Sequence, residues 1–208
     1  TLGGLFGGGF GGVGSINHGP LAARGNVLGI KAITIEEEPK LVELRGPEAL
    51  LMHHMWGTNG LVLEIEVALA PAHPWQEHIV VFRDFDNALD FANAVAHAPG
   101  IVKRELAVMA DPIPAAFKPL ADHLPAGCEA VFLAIAPSSE PAMQELVAQW
   151  HGEVTYSKSA EEIARTNRTL IEYTWNHTTL VVFKTQKDIT YLQCAYTAGE
   201  HLKQVRRM

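Results

Sequence analysis

Residues 1–19 read "TLGGLFGGGFGGVGSINHG", and nine of the nineteen are glycine. A glycine inside a regular element costs about 0.5–1 kcal/mol relative to alanine, so such a run belongs where backbone takes positive φ or touches something bulky. Leu2, Leu5, Phe6, Phe10, Val13 and Ile16 are interleaved with the glycines. That texture differs from a Gly/Ser linker. It predicts a packed loop whose bare backbone faces a ligand or another segment. "GFGGVG" at 9–14 satisfies G-x-G-x-x-G, a fingerprint that has meaning only after a strand and at the opening of a helix. Here "TLGGLFGG" precedes it and "SINHGP" follows, with Gly19 and Pro20 opposing a helix. A parallel dinucleotide-binding unit is therefore not expected.

Outward from this arm, two textures meet near "APAHPW" at 70–75. Before it, "VLGIKAITI" (27–35) and "LVLEIEVALA" (61–70) alternate as strands, the second with Glu64 and Glu66 on its polar face. "PKLVELRG" follows an acidic turn at Glu36–Glu38, and "PEALLMHHMWG" predicts a short helix with Pro47 in its first turn and Gly57 past its end. After the break, strand, helix and strand are expected at 78–82, 86–100 and 101–109. The pattern returns at 128–136, 139–152 and 153–157, with Ser139 as helix N-cap. "SAEEIA" predicts a capping box between Ser159 and Glu162. "ITYLQCAY" (189–196) predicts one more strand. Two successive strand–helix–strand units imply an α+β fold with an antiparallel sheet of ferredoxin-like layout. The expected domains are 1–72 and 73–208.

The bulk composition narrows the function. The 208 residues carry 48% hydrophobic and 19% charged side chains, ordinary for a globular chain with a real core. A formal charge of −7 opposes nucleic-acid binding, which needs a clustered basic face. Two cysteines, Cys128 and Cys194, fit a reducing, cytoplasmic setting. No run of about 18 apolar residues predicts a membrane span.

Residues 1–35, followed by "GTNGLVLEIEVALAP" at 57–71, resemble the second half of the FAD-binding domain of the p-cresol methylhydroxylase type. The relatives are FAD-linked oxidases such as the FAD-linked component of glycolate oxidase and D-lactate dehydrogenase. The resemblance implies FAD as cofactor, with Thr1, Gly3 and Gly4 opening the site. Gly8, Gly9, Gly11 and Gly12 would lie against the ribityl–pyrophosphate. Gly19 would be the turn glycine, and Gly60, Leu61 and Val62 would meet the adenosine. Backbone N–H groups satisfy a diphosphate well where no side chain holds the chain away.

Three positions depart from the family pattern. Gly25 stands where an Asp is usual, Leu63 where the turn motif ends in Thr, and Thr178 where hydroxy-acid relatives carry a carboxylate-gripping Arg. The family's first phosphate-binding loop and its C-terminal segment are not within residues 1–208. The chain is accordingly expected to be a fragment whose partner is the rest of its own FAD domain. By itself it is expected to bind FAD poorly and to self-associate through uncovered apolar surface. Residues 73–208 would then be the cap, or substrate, domain.

"EYTWNHTTLVVFK" (172–184) is the most chemically loaded stretch of that second part. Asn176 and His177 are the candidate catalytic residues, His177 as a general base. The structural alternative is an element edge whose His and Asn satisfy backbone groups. The remaining histidines lack metal-ligand spacing, so no metal is expected. Together these readings predict an FAD-dependent oxidoreductase that oxidises a small alcohol or 2-hydroxy acid by hydride transfer to flavin. The competing expectation is a non-catalytic, ferredoxin-like ligand-binding or assembly module with a glycine-rich arm.

Overall fold

The structure, a computed structural model, describes residues 1–9, 11, 14–192, 194, 196 and 199–206, with Ile16 described for its backbone alone. The chain divides into two compact units, Thr1–Ala72 and His73–Met208. Both are built on antiparallel sheets, and the class is α+β.

The first unit opens with a helix where a ligand-facing loop was expected. Helix α1 spans Leu2–Gly8, and the Thr1 side chain accepts a hydrogen bond from the Gly4 N–H at 3.2 Å. Phe6 is fully buried among Val27, Ile30, Ala32, Ala49 and Met52. Seven residues with four glycines are too short and too weak to hold a helix alone. Two distant backbone groups complete it: the His54 N–H donates to Phe6 O at 3.0 Å and the Trp56 N–H to Gly7 O at 2.9 Å. These satisfy carbonyls that a helix end leaves open. A single turn, α2 (Ser15–His18), follows and stops at Gly19.

Strands β1 (Val27–Thr34), β2 (Leu41–Arg45) and β3 (Gly60–Val67) form the sheet in the order β2-β1-β3. The helix expected after Pro47 is instead a 3-10 helix, Gly46–Met52. The chain leaves it through His54 and Trp56, both at positive φ, which no continuing helix accommodates.

In the second unit, β4 (Gln76–Phe82), β5 (Lys103–Met109), β6 (Glu129–Ile135) and β7 (Glu153–Lys158) pair in the order β5-β6-β4-β7. With α3 (Phe85–His97) and α4 (Glu140–Gln149) as connections, this is the split β-α-β arrangement. Alternation puts Val80, Phe82, Val131, Leu133 and Ile135 on one sheet face, where Phe91, Val95, Met143 and Val147 of the two helices cover them. The other face carries Ile79, Val81, Ala130 and Phe132, packed against Phe117, Leu120, Leu170 and Val182.

Further helices follow: α5 (Ala160–Thr166) with the expected Ser159–Glu162 capping box, α6 (Asn176–Thr185) and α7 (His201–Val205). Two expectations are corrected here. Ser139 does not cap α4 with its side chain. Its buried hydroxyl accepts from the Val102 N–H at 2.8 Å and so ties the start of α4 to the segment leading into β5. Among the described residues of 189–196 there is no strand; Ile189 packs on the core, while Tyr191 and Leu192 are exposed. Cys128 and Cys194 are free thiols. No helix among the described residues is long and apolar enough to cross a membrane.

Candidate functional site

A concave surface of about 320 Å³ lies beside the glycine arm in the first unit. Its floor is apolar, with Leu2 and Leu5 from α1, Leu21, and Val67 and Leu69 at the end of β3. Gly11, Gly14 and Gly19 bring bare backbone to its rim, and Ser15, His18 and Asn26 supply polar groups. The Asn26 amide is already committed, donating to His18 O at 2.8 Å and Pro20 O at 2.9 Å, which closes the loop beneath the surface. No carboxylate lines the concavity among the described residues. The volume sits at the lower edge of the roughly 300–1,000 Å³ of small-molecule pockets. Its lining suits a flat aromatic system lying on aliphatic side chains, with no negative charge to oppose a phosphate.

Of the glycine-arm and turn residues implicated by sequence, Gly11 and Gly19 line this surface, and Gly12 lies outside the described residues. Thr1, Gly3 and Gly4 form the first turn of α1. Gly8 is buried at its end, and Gly9 terminates the helix at φ +70°. A Cβ on Gly9 would stand 2.3 Å from the His54 ring, so an internal neighbour already requires glycine there. Gly60 is similar: a Cβ would meet Met52 Cε at 2.3 Å and the Ile33 carbonyl at 2.9 Å. Leu61 is exposed on β3, and Val62 packs on the first unit's core.

Asn176 and His177 occupy the first turn of α6 and are both exposed. His177 Nδ1 lies 2.9 Å from Ile171 O, a carbonyl that can only accept. That contact orients the ring and places the Nδ1 proton on the carbonyl, so that in the neutral tautomer Nε2 carries the lone pair. Trp175, immediately before, has φ +55° and ψ −135°, a strained conformation for a bulky side chain. The Thr178 hydroxyl donates to Tyr173 O at 2.6 Å, fixing the turn from below.

Sequence reading missed a row of charge across the second sheet. Glu77 pairs with Lys158 on β7 and with Ala134 on β6, and Ala134 pairs in turn with Glu105 on β5. Cross-strand partners share a face, so Lys158, Glu77, Ala134 and Glu105 line up on the face opposite the two helices. Both glutamates are fully buried. Glu77 Oε2 accepts from the Leu170 N–H at 3.0 Å, and Glu105 Oε1 accepts from the Thr174 hydroxyl at 2.6 Å. Their other oxygens have no hydrogen-bond partner among the described residues.

A β-bulge makes Arg104 the extra residue between Lys103 and Glu105. Its guanidinium reaches to 3.7 Å from Glu77 Oε1 and 5.6 Å from the centre of the Trp75 ring. Burial pushes the Glu77 carboxyl up to about 7, opposed by the Leu170 N–H and by Arg104. Burial also raises Glu105. The signal was present in the sequence: in "QEHIVVF" strand alternation places Glu77 on the same face as Ile79 and Val81.

No family model matches the chain, and no curated protein matches it. Among solved structures, the crystal structure of aclacinomycin oxidoreductase is similar over 76% of this chain, with 16% identity and a TM-score of 0.48. The chain spans 38% of that protein's length.

Proposed function

We propose that this chain is part of an FAD-linked oxidoreductase of the p-cresol methylhydroxylase type that oxidises a small alcohol or 2-hydroxy acid. The observation that carries the reading is the apolar concavity beside the glycine arm, where Gly11, Gly14 and Gly19 leave backbone uncovered and no carboxylate intrudes among the described residues. In this reading Leu2, Leu5, Leu21 and Val67 support a ring of the dinucleotide, and the glycine backbone together with Ser15 and His18 meets its polar parts. FAD, when bound, supplies the hydride acceptor. The chain's own part in the chemistry is proton removal. His177, with Nδ1 tied to the Ile171 carbonyl, offers Nε2 to a substrate hydroxyl, and Asn176 stands beside it as a hydrogen-bonding group.

The test is flavin binding by the whole polypeptide that carries this chain, read as quenching of isoalloxazine fluorescence. Wild type is expected to bind, and Gly11→Val to weaken binding at least tenfold. Unchanged binding in Gly11→Val removes the site. A second reading, a non-catalytic module with a packed glycine arm, draws on Gly9 and Gly60, whose glycine requirement His54, Met52 and Ile33 account for without any ligand. A polypeptide that stays colourless at saturating FAD selects that reading.

A further inference from the structure

A second cleft, of about 100 Å³, lies wholly within the second unit. It sits where the end of β7, the 3-10 helix Lys118–His123 and the segment Arg168–Tyr173 meet. The charged side chains of its lining are cations. Lys158 and Arg168 bring two cations, and neither makes an ion pair or side-chain hydrogen bond among the described residues. The Lys158 ammonium rests over the Tyr156 ring, 5.2 Å from its centre, which leaves its N–H groups free for another partner. Tyr156 and Tyr173 add phenol groups. Burial pushes Tyr156 up to about 12 and raises Tyr173 as well, so both remain protonated donors through the neutral range.

The cleft is also held in shape. His123 Nδ1 lies 2.8 Å from Thr155 O, and the Thr155 hydroxyl donates to His123 O at 2.7 Å. The His123 ring packs edge-on to Tyr156 at 5.1 Å. Leu120 and Leu170 form the apolar wall. The neighbouring acids are Glu77, buried beside Lys158 in the strand register, Asp122 on the 3-10 helix Lys118–His123, Glu162 on α5 and Glu172 next to Tyr173; none of them lines the cleft. Two cations and two phenols, with no lining carboxylate among the described residues, make a site matched to a small anion.

We propose that this cleft binds the carboxylate of a small organic acid, held between Lys158 and Arg168 with its carbon end against Leu120 and Leu170. The volume equals about three waters of liquid, room for a carboxylate and a short aliphatic stem. The proposal does not depend on flavin binding, because every group in it belongs to the second unit.

Propionate titrated into the full chain at fixed ionic strength, followed by amide NMR, tests it, with propionamide as the uncharged isostere. Saturable shifts at residues 156–158 and 168–173 with propionate alone are expected. Lys158→Met and Arg168→Gln should each weaken binding about tenfold, the loss of one charge-assisted hydrogen bond. Arg168 is exposed, so its replacement does not endanger the fold. Equal shifts with propionamide, no saturation, or affinity unchanged in both variants would overturn the proposal.

Discussion

Glu77 on β4 and Glu105 on β5 share one cross-strand partner, Ala134 on β6, so two buried carboxyls flank the smallest side chain of their row. Each also holds the same covering segment, Glu77 through the Leu170 N–H and Glu105 through the Thr174 hydroxyl. The start of the 3-10 helix Leu170–Tyr173 and the residue after it are thereby pinned to two strands that are not neighbours.

This arrangement has a pH signature. An acid whose folded value rises from 4.5 to about 7 keeps its proton in the fold after the unfolded chain has lost it. Stability is then greatest below pH 4.5, falls as pH rises towards 7, and levels off above. For Glu77 the shift corresponds to roughly 3 kcal/mol. Glu77→Gln keeps an acceptor for the Leu170 N–H and carries no charge. Its stability relative to wild type should therefore increase between pH 4.5 and pH 8. Urea denaturation at the two pH values measures the difference, and an identical difference at both would refute the assignment.

Thr174 supplies the one hydrogen bond that the Glu105 carboxyl receives among the described residues. Removing a donor from a buried carboxyl costs about 1–3 kcal/mol. Thr174→Val is expected to lose that amount in denaturant titration, and Thr174→Ser, which keeps the hydroxyl, to lose much less. Hydrogen exchange at residues 170–174 should accelerate in the Val variant alone.

The second sheet was legible because its two central strands, β4 and β6, are short apolar runs and helix signals separate the strands, so local pattern and tertiary role agree there. Helix α1 was not legible. Its glycines argue against a helix, and what holds it, the burial of Phe6 and the N–H groups of His54 and Trp56, comes from residues about twenty to fifty positions away. The stretch 189–196 failed for the opposite reason: its alternation is strand-like, but Tyr191 and Leu192 are exposed and pair with neither sheet. Gly11 and Gly19 were reachable from the glycine pattern. The aliphatic floor of the concavity, Leu21 and Val67 among it, depends on how β3 ends beside α2 and has no local mark.

His78 is buried on the helix-covered face of the second sheet, and neither ring nitrogen has a hydrogen-bond partner among the described residues. Burial lowers its basicity, so the fold holds it neutral. A base depressed in the folded state costs stability as pH falls through the unfolded value near 6.5, where only the unfolded chain takes the proton. His78→Leu removes two unsatisfied polar atoms from an apolar layer. It should stabilise the second unit by about 1 kcal/mol at neutral pH, and by more at pH 5.5. Thermal melts at the two pH values check the sign.

Two glycines of α1 make opposite predictions from the same residue type. Gly7 is inside the helix with open space where a Cβ would go. Gly7→Ala should stabilise the first unit by about 0.5–1 kcal/mol, the ordinary helix-interior gain. Gly9 ends the helix at φ +70°, and its Cβ would fall within 2.3 Å of the His54 ring. Gly9→Ala must both strain the backbone and displace that imidazole, which belongs to the residue whose main-chain N–H anchors Phe6 O. It should therefore destabilise by more than about 1 kcal/mol, and hydrogen exchange at the His54 and Trp56 amides should rise with it. A Gly9→Ala protein as stable as wild type would mean that His54 does not pack on this helix end, and the account of why a glycine-rich segment is helical would fail with it.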